Sequence, residues 1–270
     1  MKRFDEGKKF QIKTLLCNDR LKAYRTYIEY AQEKGYKVCS MMEFWNNRKE
    51  GRHFVLRHDV DHSGISTKKM YMLERDCGVH STYYFRKETI NPHLMKDMVD
   101  NGFEVGFHYE TLGEYAVKNN LNSVTDYDIK ICRNQLKADI REFNSVLGSN
   151  ISSAASHGTA KNTEIGKSNN VLLENEDYNE YGLCFEAYDQ NMYENDVDAH
   201  IMDCNLRYNY GFSYKDTPID AINEGAKNII FLAHPNHWYN KGYGYFREIV
   251  AYIAGRRSYG TNRVFHRILQ

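Results

Sequence analysis

Apolar residues recur at helical spacing from about Arg20 to Lys34, where Leu21, Tyr24, Tyr27, Ile28 and Ala31 share one face; Gly35 is placed to end that helix. Ser40 is a cap for a second helix through Met41, Met42, Phe44 and Trp45. The pattern then changes. Phe54-Val-Leu-Arg-His-Asp-Val-Asp-His62 is a short apolar run that closes on two carboxylates and two imidazoles. Such a run predicts a buried strand, and because Asp and His are poor strand interiors, its polar end belongs where the strand leaves the core.

Helix and strand patterns alternate from there. Ser66 to Cys77 is helical, and Ser81-Thr-Tyr-Tyr-Phe-Arg86 is a second strand. Asn91 to Asn101 is a short helix stopped by Gly102, and Phe103 to His108 is a third strand. A long helix over about Val124 to Leu147 carries Ile129, Ile131, Leu136, Ile140 and Phe143. Ile151 to His157 is the fourth strand; Leu183 to Ala187 and His200 to Asp203 are the fifth and sixth. Helical Ile219 to Ala226 leads into Asn228 to His234, the seventh. A last helix, about Tyr245 to Gly255, precedes a tail holding Arg256, Arg257, Arg263 and Arg267.

Alternation predicts an α/β fold with a parallel sheet, and repeated right-handed crossovers curl that sheet into a distorted (β/α) barrel of about seven parallel strands. The expected organisation is one domain over 1–270: a helical extension at 1–50, the barrel at 51–255 and a basic tail at 256–270. Most strands end on Asp or His. In a barrel of this kind those ends form one mouth, which gathers Asp59, Asp61, His108, His157, Asp203 and His234. Asp59 and Asp61 are two apart, so they project from one face if the chain stays extended. Two carboxylates that close repel unless a cation lies between them or one is protonated. A metal site is the expectation; the competing reading has both aspartates capping the next helix and pairing with Arg57.

Composition narrows the partners. The chain has 270 residues with 36 basic and 36 acidic side chains, a formal net charge of zero that gives no reason to expect nucleic acid or an anionic membrane. Six scattered cysteines show neither a disulfide framework nor zinc-knuckle spacing, and suit thiols in a reducing compartment. Met1 to Thr14 has no apolar signal core, and no run reaches the roughly 20 residues of a bilayer span. The expected setting is cytoplasmic, with no transmembrane segment.

The strand-end motifs resemble the polysaccharide deacetylase family, the NodB-homology domain of carbohydrate esterase family four. His58-Asp-Val-Asp61 resembles its Thr-Phe-Asp-Asp motif, and Ser81-Thr-Tyr-Tyr-Phe85 its Ala-Thr-Phe-Phe strand. Gly102-Phe-Glu-Val-Gly-Phe-His108 resembles its Gly-His-Glu-Ile-Gly-Asn-His motif, and Leu232-Ala-His234 its final Leu-x-His. The likeness runs from about Phe54 to Trp238, and Arg57-His-Asp-Val-Asp61 is similar to a branch encoded with lipopolysaccharide and other surface-glycan genes. Two departures stand out: Val60 separates the paired aspartates, and Leu112 occupies the place of the family's second metal-binding histidine.

The resemblance implies a metal-dependent deacetylase of an N-acetyl, or N-formyl, sugar in glycan biosynthesis, with a divalent ion, zinc by preference, and metal-bound water as nucleophile. It assigns Asp59 as base, Asp61 and His108 as ligands, His234 as acid and Asp203 as the carboxylate orienting that acid. His157, in Ser-His-Gly, is the candidate third ligand from its own chemistry, with Glu110 as the alternative. Arg86 is expected to pair at the rim, touch substrate or orient Asp59, while Tyr109, Tyr188 and Trp238 sit beside the motifs and suit stacking on a sugar face. A catalytically silent glycan-binding barrel and a C–N hydrolase of non-sugar amides are the other readings.

Overall fold

The computed structural model describes residues 20–62, 64–203 and 217–239. Helix α1 (Leu21–Glu33) and helix α2 (Met41–Asn47) form where the pattern predicts them. Ser40 accepts from the Glu43 amide in a capping box, and Gly35 takes a left-handed φ of +76° after the first helix. Between them lies a strand that the pattern misses, β1 (Lys37–Cys39). Three residues are too few to show a period.

Next come β2 (His53–Val60), α3 (Ile65–Asp76), β3 (Thr82–Phe85), α4 (Pro92–Asp100), β4 (Glu104–Tyr109), α5 (Thr111–Lys118), α6 (Asp126–Leu147) and β5 (Ser153–Ser156). They are followed by α7 (Ala160–Ile165), β6 (Phe185–Glu186), α8 (Gln190–Asp196), β7 (Ala199–Met202), α9 (Pro218–Asn223), β8 (Asn228–Ala233) and the single turn α10 (Pro235–Trp238). Helices α5, α7, α8 and α10 are additional to the sequence expectation. The expected helix at Tyr245–Gly255 and the arginine tail lie outside the described residues.

The ladders among the described residues are all parallel, in the order β6-β5-β4-β3-β2-β8-β7, with β1 also on β2. Among the described residues the seven expected strands form this path, and β1 is an eighth beside it. One edge of β2 is covered by β8; the other is shared, with β1 pairing at His53 to Val55 and β3 from Arg57 onward. All eight residues of β2 are buried, as both faces of a parallel sheet demand.

The sheet curls. Arg57 on β2 donates from Nη1 to the carbonyl of Ala187, just beyond β6, although three strands separate them in the sheet. Between the edge strands β6 and β7 the gap is filled by Tyr188, Tyr193 and His200, with ring centroids 5.1–6.3 Å apart. Among the described residues the result is a distorted barrel in which side chains, and no ladder, bridge β6 and β7. A small inner cluster containing Val55, Tyr84, Ala155, Phe185 and Ile230 fills the interior, and a larger one lies between the sheet and the helices.

Two details fix the strands that carry the site. On the outer face of β2, His58 donates from Nε2 to Glu74 of α3 at 2.7 Å; Ser81, Tyr83 and Tyr24 donate hydroxyls to the same carboxylate. Four donors offset the cost of burying that charge. On β4, a Cβ at Gly106 would lie 2.4 Å from the Tyr84 ring and 2.8 Å from the Ser153 carbonyl. Only glycine lets that ring lie across the strand, one residue pair below His108.

Candidate active site

The strand ends bring Asp59, Asp61, His108, His157, Asp203 and His234 to one mouth. Asp59 is the last inward residue of β2 and Asp61 follows the strand; both face His108 at the end of β4, whose Nε2 lies 3.4 Å from Asp59 Oδ2 and 3.5 Å from Asp61 Oδ1. Alternation along β2 therefore survives past its last pair. His157 follows β5, its amide donating to the Tyr109 carbonyl, and its Nε2 lies 3.4 Å from the same Asp61 Oδ1.

Both imidazoles are turned by their other nitrogen. His108 donates from Nδ1 to the Ala155 carbonyl at 2.9 Å, and His157 Nδ1 contacts Glu110 Oε1. The Ala155 carbonyl fixes the proton on His108 Nδ1, the Glu110 carboxylate faces His157 Nδ1 as an ionic contact, and each Nε2 is left facing Asp61.

A metal can be tested against this set. Asp61 Oδ1 is buried without a well-formed hydrogen bond. Donor atoms of Asp61, His108 and His157 all lie within 4.8 Å of one another. A tetrahedral ion with bonds of about 2.0–2.1 Å holds its ligands about 3.3 Å apart, close to the contacts found. Two imidazoles and a carboxylate fit zinc, which also leaves a fourth position open. Glu110, the alternative third ligand, is instead engaged by His157 and by Arg86, whose Nε is 2.5 Å from Oε1.

Electrostatics follow from these contacts. Burial would raise the Asp61 carboxyl, but His108, His157 and His234 hold it well below the usual range. Burial would lower the His157 imidazole, yet Asp61 and Glu110 outweigh it and push the group up to about 9. Asp59 is almost sealed from solvent, and burial would raise it too; Arg57, then His108 and His234, hold it down. Arg57 makes a two-pronged pair, Nε and Nη2 each 3.0 Å from an Asp59 oxygen, with its guanidinium 4.0 Å from the Tyr188 ring centroid.

On the other side, Asp203 accepts three hydrogen bonds and faces a further histidine. His234 Nδ1 is 2.8 Å from Oδ1 and the His234 amide 2.7 Å from Oδ2; Trp238 Nε1 donates at 3.0 Å, and His237 Nδ1 is 3.2 Å away. Burial would raise Asp203, but the histidines His237 and His234 hold it far below the normal carboxylate range. Nε2 of His234 points toward the mouth, 3.7 Å from Asp61 Oδ2.

No protein-family model matches this chain, and no curated protein does. Among solved structures it is similar to a family 4 carbohydrate esterase from Streptomyces lividans in complex with acetate, at 18% identity and TM-score 0.41, over 76% of this chain and 88% of that one. It is similar to the catalytic domain of peptidoglycan N-acetylglucosamine deacetylase from Eubacterium rectale, at 12% identity and TM-score 0.43, over 78% and 87%. A third is a CE4 family pseudoenzyme from Bacillus anthracis, at 14% identity and TM-score 0.41; the chain covers 60% of that protein's length and 76% of its own is matched.

Several expected contacts fall elsewhere. Trp238 is 1% exposed, its ring packed against Tyr24, Tyr27 and Phe231 with Arg20 above it, so it offers no face to a sugar. Tyr109 is fully buried, its hydroxyl toward Glu186. Tyr188 is half-buried and spends its face on Arg57. Arg86 does not touch Asp59; it pairs with Glu110 and Glu88 and donates to the Asp61 carbonyl at 3.2 Å. The guanidinium that orients Asp59 is Arg57, two residues away on the same face. The sequence offers that pair as a competitor to a metal site; here it forms beside the Asp61, His108 and His157 cluster, so the one arrangement does not exclude the other. Leu112, at the family's histidine position, is buried on α5 among apolar neighbours. No described helix is long and apolar enough to cross a membrane.

Proposed function

We propose that this chain is a metal-dependent amide hydrolase that removes an N-acetyl group from a sugar during cell-surface glycan biosynthesis, with Asp61, His108 and His157 as ligands of a zinc-like ion. The observation that carries the reading is the convergence of both Nε2 atoms on one buried Asp61 oxygen, with Asp59 on one flank and the Asp203-held His234 on the other.

A divalent ion bound there supplies Lewis acidity, polarising the amide carbonyl and making water a better nucleophile at neutral pH. Asp59, kept ionised by Arg57, accepts the proton of the attacking water. His234 donates from Nε2 to the departing amine nitrogen, and Asp203, bonded to Nδ1, stabilises the imidazolium that makes this donation. Arg57 keeps both Asp59 oxygens in place, which limits the base to one approach direction.

Acetate release from N-acetylated sugars and from a panel of non-sugar amides tests the proposal. His234→Ala should lower release from the sugars by about 10²–10⁴-fold with the fold retained. Unchanged release in that variant, or release from non-sugar amides alone, overturns it.

A further inference from the structure

Behind the proposed metal set runs a chain of contacts that neither the base nor the acid uses. Arg86, at the exit of β3, donates from Nη1 to the Asp61 carbonyl at 3.2 Å and pairs through Nε with Glu110 Oε1 at 2.5 Å. The same Glu110 oxygen contacts His157 Nδ1, and His157 Nε2 faces Asp61 Oδ1 at 3.4 Å. The contacts form a closed circuit: Asp61 backbone, Arg86, Glu110, His157, Asp61 carboxylate.

We propose that Arg86 and Glu110 are positioning residues, a clamp that presets Asp61 and His157 for one divalent cation. This rests on the reading that those two and His108 are the ligands. Asp61 and His157 both lie beyond the last ladder pair of their strands, where backbone pairing no longer fixes a side chain. The backbone of His157 is held separately, its carbonyl accepting from the buried amide of Asn169 at 2.5 Å. Its ring, however, turns freely about two torsions unless Nδ1 has an anchor, and Glu110 is the group that faces it.

Arg86 supplies two further effects. It neutralises Glu110, so that this buried carboxylate serves as an acceptor and does not compete for the cation. It also ties the acceptor to the Asp61 backbone, so that both ligands move as one unit. Groups that hold a ligand's second nitrogen typically account for about 10–100-fold in metal affinity.

The test is zinc competition titration of the full chain, run at about pH 9.5, where protons compete least for the imidazole. Glu110→Gln keeps the shape and removes the charge; Arg86→Lys keeps a charge but cannot span Glu110 and the Asp61 carbonyl. Each should weaken zinc by about 10–100-fold, and the double variant should lose no more than the worse single, the mark of a shared unit. Circular dichroism confirms folding, and the visible spectrum of the cobalt-loaded variants should change with the altered ligand geometry. Wild-type protein that binds no zinc would sink the metal reading itself. Wild-type binding with both variants within about twofold of it would overturn the clamp alone. So would an Arg86→Lys affinity equal to or tighter than wild type beside a large Glu110→Gln loss, the pattern of Glu110 acting as a direct ligand.

Discussion

Oδ1 of Asp61 stands 3.4 Å from Nε2 of His157 and 3.5 Å from Nε2 of His108, the three side chains arriving from the ends of three different strands. Removing one corner of this triangle should be felt directly. His157→Ala is expected to weaken zinc by more than the roughly 100-fold that an outer partner accounts for. In the wild-type chain the imidazole, pushed up to about 9, must shed a proton to bind. Apparent zinc affinity should therefore climb with pH and level off near that value. A flat profile between neutral pH and that point would separate His157 from the metal.

Asp59 and Arg57 are a sealed pair, and the loss of one charge leaves the other buried and uncompensated. Asp59→Asn should destabilise the fold by about 3–5 kcal/mol, visible as a lower urea midpoint, in addition to its effect on turnover. A midpoint within experimental scatter of wild type would show that solvent or another group reaches Arg57.

Gly106 is expected to be intolerant for a steric reason. A methyl group there meets the Tyr84 ring and the Ser153 carbonyl, and neither belongs to a flexible end. Gly106→Ala should cost about 1–3 kcal/mol of stability and, by shifting β4, weaken metal binding through His108. Equal stability would mean that Tyr84 can swing away despite its hydroxyl's 2.8 Å bond to Ser153.

Glu186 gives a pH signature remote from the ligands. Burial pushes its carboxyl up to about 7, although the amides of Tyr188 and Ser156 and the charge of Arg57 oppose the shift. A carboxyl with a raised folded value binds its proton more tightly in the native state. Its contribution is present at pH below its unfolded value of 4.5 and is lost as pH rises to about 7. Wild-type stability relative to Glu186→Gln should fall over that window, by at most about 3 kcal/mol, and stay level above it. Denaturation curves at several pH values that run parallel for the two proteins would contradict this.

The barrel and its mouth were legible because their signals are local: alternating periods give the elements, and the change from apolar to Asp or His marks each strand exit. The convergence of His108, His157 and His234 required only that the strands be parallel. Other features depended on tertiary context. The strand β1 is visible only once β2 offers it an edge. That Tyr109 faces the packed interior could not be read from its closeness to His108, since adjacent strand residues point to opposite sides; Trp238 lies in the turn after β8, and only the position of the helix around Tyr24 and Tyr27 shows where its ring goes. Arg57 and Asp59 stand two apart, so their pairing could be inferred from the strand period. The Arg86–Glu110 link could not, because it joins neighbouring strand ends whose register only the folded sheet fixes.

Diffraction from zinc-soaked crystals at the zinc absorption edge would locate the ion itself. One anomalous peak is expected, bonded to Asp61, His108 and His157 at about 2.0–2.2 Å, with Glu110 outside bonding distance. A peak on Asp203, His234 and His237 instead, or none at saturating zinc, would contradict that ligand set.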